Sequence, residues 1–484
     1  MFLGIDIGTS VVKVVVIDDQ GQVVETRHSP LPISRPKPKW SEQEPDHWWQ
    51  AVRESVSSLP AECRRMTRAI GLTGQMHGAV LLDSDQTPLR PAILWNDGRS
   101  EAEAKALQTL QADFVERGAN LVMPGFTAPK LAWVRTHEPD VFNQTQTVLL
   151  PKDFVRLRMT GELATDMSDA AGTLWLDVER RAWHPPLLEA CGLTEQHMPR
   201  LHEGPETTGT LRPDVASEWG MDEVPVVAGG SDNAAGALGA GAIGDGDTIL
   251  SLGTSGVIFS ATDTLKKNPD AAVHAFCHAL PDRWHLMSVI LSAASCLDWA
   301  CRITNTHNVN ALIELAEAEF KPESRVTFLP YLSGERTPHN DANACGVFWG
   351  MSHDTGAADI ANAVLEGVAF GLADGFDALI STGVSIETLS VIGGGSRSTH
   401  WGRILASALS RPLIYREGAD VGPAFGAARL AKFGTDGGDA AEVFSKPAAV
   451  SRVEPDQSLS SLYRAKRTRF SALYHNLKNL SEEG

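Results

Sequence analysis

Residues 4–13 read Gly4-Ile5-Asp6-Ile7-Gly8-Thr9-Ser10-Val11-Val12-Lys13. An apolar run from Phe2 to Ile7 carries one acid, breaks at Gly8, passes two hydroxyls and resumes as Val14-Val15-Val16-Ile17. The pattern predicts strand, tight turn, strand, with the carboxylate of Asp6 beside the turn. It returns as Ile249-Leu250-Ser251-Leu252-Gly253-Thr254-Ser255-Gly256-Val257-Ile258-Phe259. Gly-Thr-Ser between apolar runs, repeated about half a chain apart, predicts two related lobes facing each other.

The chain has 484 residues, and length alone would suggest roughly three domains. The repeat argues for two, with a boundary near Asp245-Gly246-Asp247: residues 1–244 and 245–484. Apolar residues make up 43% and charged residues 21%, ordinary proportions for a globular protein. Forty-two basic against 60 acidic residues leave a net charge of −18. Such a field repels nucleic acids and anionic lipid, which argues against both as partners. A small anion can still be held by a local nest of backbone N–H groups. Six cysteines without a CxxC pair fit a reducing compartment. The first residues show no basic segment followed by an apolar signal core, and no apolar run approaches the ~20 residues that span a bilayer. A cytoplasmic protein is the expectation.

Along the chain, residues 1–26 predict an antiparallel meander. The proline-rich stretch 30–40 cannot be regular interior structure. A helix starts at Glu44-Pro45-Asp46, with Trp48, Trp49, Val52 and Val56 at helical spacing. Ala69–Thr73 reads as a buried strand, residues 79–95 as a hairpin turning at Asp83–Thr87, and residues 143–220 as an insertion around the first core. A strand at 224–228 runs into Gly229-Gly230-Ser231-Asp232-Asn233 and a small-residue helix. A long helix at about 357–380 and a strand at 389–392 lead to Gly393-Gly394-Gly395-Ser396. A further small-residue helix begins at Gly422-Pro423, and the charged tail reads as an outer helix.

Several of these junctions can carry chemistry. A phosphate needs converging N–H donors, and glycine lets the backbone approach closely. Gly8, Thr9, Ser10 and their echo Gly253, Thr254, Ser255 fit that need. Lys13 adds a cation, and Asp6 could hold Mg²⁺ through the water shell that this ion keeps. No GxxxxGK[ST] is present, so this is not a P-loop. Asp232, at a strand-to-helix junction, reads equally as a general base or a helix N-cap. Gln75-Met76-His77-Gly78 and Trp95-Asn96-Asp97-Gly98-Arg99 could wall a polyol site, since buried sugar hydroxyls need partners. A satisfied loop histidine and an Asp97–Arg99 ion pair are the simpler alternative. His274-Ala275-Phe276-Cys277-His278 reads as strand packing, because no second ligand pair lies nearby in sequence for a metal.

Taken in order, these motifs resemble the FGGY family of carbohydrate kinases, within the actin/Hsp70/sugar-kinase superfamily. The resemblance rests on residues 4–13, Trp40-Ser41-Glu42-Gln43, Trp48-Trp49, 74–78, 95–99, 229–236, 251–256, Leu332-Ser333-Gly334-Glu335-Arg336-Thr337-Pro338 and 393–395, and so runs to about residue 430. It implies an α/β fold of two ribonuclease-H-like lobes around a cleft, sugar on the N-terminal lobe and ATP on the C-terminal one. It further implies that Asp232 takes the proton of the sugar's terminal hydroxyl, that Met76, His77, Asp232 and Asn233 line the sugar site, and that Asp6 positions Mg²⁺. Gly8, Thr9, Ser10 and Lys13 would face the transferring phosphate, Gly253, Thr254 and Ser255 the others, and Gly393, Gly394 and Gly395 the adenosine. The Gln-Met-His-Gly segment points within the family to D-xylulose; ribulose, gluconate or glycerol are the other family substrates. A homodimer is a further implication. The chain departs from the pattern at Val11 and Ser231, where the family often has glycine. Two alternatives stand outside this resemblance: an actin/Hsp70-like ATPase with no small substrate, and a sugar-binding protein that uses no nucleotide. The first leaves 75–78 and 95–99 unexplained, the second the twin turns.

Overall fold

Each Gly-Thr-Ser turn joins the first two strands of a large sheet in the computed structural model, which describes residues 1–393, 398–417 and 422–481. The strand Phe2–Ile7 pairs antiparallel with Val11–Ile17, with Asp6 opposite Lys13. Val11–Ile17 pairs antiparallel with Val23–Pro30. On its other side Phe2–Ile7 lies parallel to Ala69–Gly74, which is parallel to Pro225–Val227. Thr207–Thr210 closes that edge antiparallel. The second sheet repeats this plan. Thr248–Leu252 pairs antiparallel with Gly256–Thr262, which pairs antiparallel with Trp284–Ile290. Leu389–Ile392 and Leu413–Arg416 follow in parallel, and Ala449–Val453 ends the sheet antiparallel. The strand His274–Cys277 is added at the opposite edge. The sequence repeat is thus the visible part of a repeated sheet.

Central strands of both sheets are runs of Val, Ile and Leu with almost no exposure, as expected for strands covered on both faces. The helix Pro45–Ser57 starts with proline, whose missing N–H costs nothing there, and buries Trp48, Val52 and Val56. The helix Ala357–Ile380 is buried over most of its length. The hairpin expected at 79–95 forms only in part. Its turn closes from Asp83 N–H to the Thr87 carbonyl at 3.1 Å, and isolated bridges join Ala79 to Ile93 and Leu82 to Pro88. The ladders go elsewhere: Val80–Leu82 pairs with Thr147–Leu149, and Ala92–Ile93 with Glu42–Gln43. Non-local partners bury these apolar segments more fully than a short exposed hairpin would.

Two small-residue helices cross between the sheets. The helix Pro423–Asp436 lies on the first sheet so closely that a Cβ at Gly4 would stand 1.9 Å from the Ala424 carbonyl oxygen, and one at Gly71 2.0 Å from that of Ala427. Gly4, the first residue of the signature stretch, therefore seats a helix and is not a ligand contact. The related helix Asp232–Ala240 faces the second sheet across a cavity of about 210 Å³ lined by Gly236, Ile249, Phe259 and Val391 among others. Among the described residues no helix is long and apolar enough to cross a membrane. All six cysteines are free thiols.

Candidate active site

The Gly8–Ser10 turn is held from behind by a closed set of hydrogen bonds. Its first N–H bonds the Val11 carbonyl at 3.1 Å. The Thr9 hydroxyl donates to Gln75 Oε1 at 3.0 Å and accepts from Trp95 Nε1 at 3.0 Å. Gln43 Nε2 donates to the Thr9 carbonyl at 2.7 Å, while Gln43 Oε1 accepts from Trp48 Nε1 at 3.0 Å and Gln75 Nε2 at 2.9 Å. Gln43, Gln75 and Trp48 are buried. Gln75 and Trp95, expected in a sugar wall, both bond the turn, Trp95 while also lining the cavity that holds Met76 and His77, and Gln43 and Trp48 were not anticipated in this role. The second turn is held differently. The carbonyls of Gly253 and Thr254 accept from the N–H groups of Ala294 and Ala293, each at 2.9 Å, at the start of the helix Ala294–Thr304.

Asp6 and Asp232 approach each other in the cleft. Burial, and next the charge of Asp232, raise the Asp6 pKa to about 7, with Lys13 acting in the opposite direction. Asp6 Oδ1 is buried without a hydrogen-bond partner. Burial raises Asp232 to about 6, offset in part by two bonds from Asn233 to its Oδ1: the N–H at 2.7 Å and Nδ2 at 2.8 Å. Asp232 is the first residue of its helix, and the cap position belongs to Ser231. The N-cap alternative for Asp232 is therefore corrected: its carboxylate satisfies no N–H beyond Asn233. Ser231 is in turn tethered through its N–H to Ser168 Oγ at 2.9 Å, and Ser168 Oγ donates to Asp166 at 2.5 Å. Asp166 sits in a buried ionic cluster with Lys152, Asp153 and Asp169, so the Asp232 junction is anchored in the rigid interior.

Met76, His77, Asp232 and Asn233, which the family resemblance assigns to one site, line one cavity of about 220 Å³. His77 has φ 66°, a left-handed conformation uncommon for a side-chain-bearing residue. Its carbonyl is held by buried Lys130 Nζ at 2.7 Å and by Thr127 Oγ1 at 3.2 Å. Its Nδ1 lies 2.7 Å from the Gly172 carbonyl, so Nδ1 carries the proton and Nε2 is an acceptor. Burial, and then Lys130, bring its pKa down to about 3, so the ring is neutral. Asp97 and Arg99 form the ion pair of the simpler reading: Arg99 Nη2 bonds Asp97 at 2.7 Å, Nη1 lies 2.7 Å from Glu42, and the guanidinium stacks on Trp40 at 3.6 Å.

The same cavity is closed from the second lobe by Ser255, Val257, His274, Phe276, Met287, Val289 and Arg336. Sequence reading placed Ser255 in a phosphate turn and His274 in strand packing. Ser255 does lie in the turn between two strands and His274 in an edge strand, and the tertiary fold also turns both toward the first lobe. Arg336 lay within a motif quoted for family likeness, with no role attached. A larger cavity, about 590 Å³, opens on the second lobe between the helices Ala294–Thr304, Val309–Ala318 and Thr399–Leu409. Gly393, at the end of the strand Leu389–Ile392, has φ 93°, and a Cβ there would stand 2.6 Å from the Leu252 carbonyl oxygen. Gly394 and Gly395 lie outside the described residues.

Comparison with known proteins agrees with this geometry. Residues 1–239 match the N-terminal domain, and residues 248–434 the C-terminal domain, of the FGGY family of carbohydrate kinases. The chain is 51% identical to the xylulose kinase of Escherichia coli (strain K12), covering 99% of both chains. It is 37% identical to that of Bacillus subtilis (strain 168), over 90% of this chain and 88% of the relative. Among solved structures, a xyloylose kinase from Brucella ovis superposes with TM-score 0.96 at 47% identity, over 99% of each chain. A xylulose kinase from Rhodospirillum rubrum superposes with TM-score 0.92 at 28% identity, again over 99% of each. Two matched domains in their family order, and close relatives over the full length, leave one conclusion: the chain belongs to the FGGY family of carbohydrate kinases.

Proposed function

We propose that the chain transfers the terminal phosphoryl group of ATP to the terminal hydroxyl of D-xylulose, giving D-xylulose 5-phosphate and ADP. The observation that carries this reading is the place of Asp232, a half-buried carboxylate shared by the cavity holding Met76 and His77 and by the cavity between its own helix and the second sheet. A carboxyl raised to about 6 is ionised at neutral pH and basic enough to take a hydroxyl proton. As the sugar oxygen forms its bond to phosphorus, the bond from phosphorus to the departing ADP oxygen breaks, and the hydroxyl proton passes to Asp232. Phosphoryl transfer needs mainly positioning and charge neutralisation. Gly8, Thr9, Ser10 and Lys13 face the transferred group, and Gly253, Thr254 and Ser255 the rest of the phosphate chain. The 590 Å³ cavity, lined by Asp298, Glu314, Ser398 and Trp401 among others, suits the nucleoside. Asp6, with a buried oxygen lacking a partner, fits a hard divalent cation, and Mg²⁺ held there through its waters would offset phosphate charge.

Residues 1–244 would form the sugar lobe and 245–484 the ATP lobe, the glycine-rich segment 239–246 acting as hinge. Closure would exclude water from the phosphate. The reducing chemistry of six free thiols supports a cytoplasmic setting. A homodimer is part of this reading and is checked by light scattering. The deciding experiment is ADP release with a panel of ketoses and polyols. Strong stimulation by D-xylulose, weak by ribulose and none by glycerol is expected. Sugar-independent release would instead indicate an actin/Hsp70-like ATPase, and a preference for glycerol or gluconate another family substrate.

A further inference from the structure

His274 opens the edge strand of the second sheet and is 3% exposed. Its Nδ1 lies 3.1 Å from Asn120 Oδ1. That amide is oriented by its own bonds: Nδ2 donates to the carbonyls of Gly118 at 3.0 Å and Ala275 at 2.8 Å, and Oδ1 accepts the Ala275 N–H at 3.2 Å. Asn120 Oδ1 is thus an acceptor, and Nδ1 of His274 must carry the proton. The other nitrogen, Nε2, keeps its lone pair, and it is buried with no partner. The ring forms part of the wall of the 220 Å³ cavity, with the rings of Phe126 and Phe276 each 5.8 Å away. Phenyl groups cannot satisfy a nitrogen lone pair, and an unmet buried acceptor is costly. Burial first, then the cation of Arg336, hold the imidazole well below its usual range, so protonation does not resolve the deficit. His77 presents the same chemistry from the first lobe: neutral, protonated at Nδ1, Nε2 an acceptor. The cavity therefore holds two fixed-tautomer acceptors on opposite lobes, which is what two hydroxyls of one polyol require.

We propose that His274 is a substrate-reading residue, its Nε2 accepting a hydrogen bond from a secondary hydroxyl of the bound ketose and so tying the sugar to the second lobe. The inference rests on the reading of this cavity as the ketose site. Site hydrogen bonds of this kind discriminate by leaving the protein group unpaired when the hydroxyl is missing.

Two variants separate reading from packing. His274→Asn keeps a donor for Asn120 and has no atom at the Nε2 position; His274→Gln places an acceptor there. His274→Asn is expected to lower kcat/KM for D-xylulose about 10- to 100-fold, with KM for ATP unchanged, and His274→Gln to recover most of the loss. The unmutated chain should lose a similar factor on either 3-deoxy- or 4-deoxy-D-xylulose, and His274→Asn should lose nothing more on that same analogue. An unaffected His274→Asn, or equal further losses on both analogues, overturns the inference while the kinase reading stands. Failure of the unmutated chain to phosphorylate any ketose overturns that reading and this one with it. Should His274→Asn not fold, ¹⁵N-histidine NMR of the unmutated chain decides: the unprotonated nitrogen of His274 shifts upfield with D-xylulose, and an unmoved resonance overturns the inference.

Discussion

The hydroxyl of Thr9 donates to the side-chain carbonyl of Gln75 at 3.0 Å, which makes the Gly8–Ser10 turn and the segment leading into Met76 and His77 one hydrogen-bonded unit. Gln75 also donates to Gln43, which holds the Thr9 carbonyl. Removing the amide takes one of two partners from the Thr9 hydroxyl and one of two from Gln43 Oε1, each lost bond being worth about 0.5–1.5 kcal/mol. Gln75→Leu should therefore lower kcat/KM for both substrates about 10- to 100-fold and lower the denaturation midpoint. Steady-state kinetics with a urea titration checks this. An effect on the sugar KM alone would mean that Gln75 touches the sugar and not the turn.

Asp232→Asn keeps the shape of the side chain and removes its basicity. Loss of a general base lowers kcat by about 10²–10⁴-fold. Nucleotide affinity, measured by calorimetry, should stay close to the parent, because the 590 Å³ cavity is built from other elements. Full turnover in the variant would remove Asp232 from the base role.

Activity and stability should respond to pH in opposite directions. Folded Asp6 and Asp232 titrate at about 7 and about 6, against 3.8 when unperturbed. Between about pH 4 and 7 the native chain therefore holds more of their protons than the unfolded chain, so their contribution to stability falls as pH rises through that window. The base works only when ionised, so log kcat/KM should fall on the acid side with an apparent pKa between about 6 and 7. Asp6→Asn and Asp232→Asn should each be more stable than the parent at pH 8, by about 1–2 kcal/mol, and equal to it near pH 3.5. Denaturation curves at the two pH values test the sign.

Gly4→Ala places a methyl group 1.9 Å from a backbone oxygen of the helix Pro423–Asp436. Backbone cannot step aside as a side-chain tip can, so a loss at the upper end of the usual overpacking range, about 3 kcal/mol, is expected. A chemical-denaturation midpoint equal to the parent's would show that the helix does not seat there.

Much of the architecture was legible because it is local. The Gly-Thr-Ser turns, the flanking strands and the helices at 45–57 and 357–380 are written in apolar periodicity and turn residues. The exposed-junction reading of Asp232 was legible from its glycine flanks, though its choice over a cap needed the helix start at Ser231–Asp232. The pairing of Ala92–Ile93 with Glu42–Gln43 was not, since two-residue ladders carry no periodicity. Phe126 and Arg336 left no local mark of their place in the cavity wall.

By itself, then, the sequence determined the two-lobed plan, the twin turns and the acids beside them, because strand, turn and helix signals act between residues close in the chain. Only the tertiary structure decided which lobe supplies which wall of the cavity. Gln75 is tied to Thr9 across 66 residues and His274 to Asn120 across 154. Whether a polar side chain in such a place is satisfied or left waiting depends on partners brought together by packing, and packing is not encoded in any one stretch.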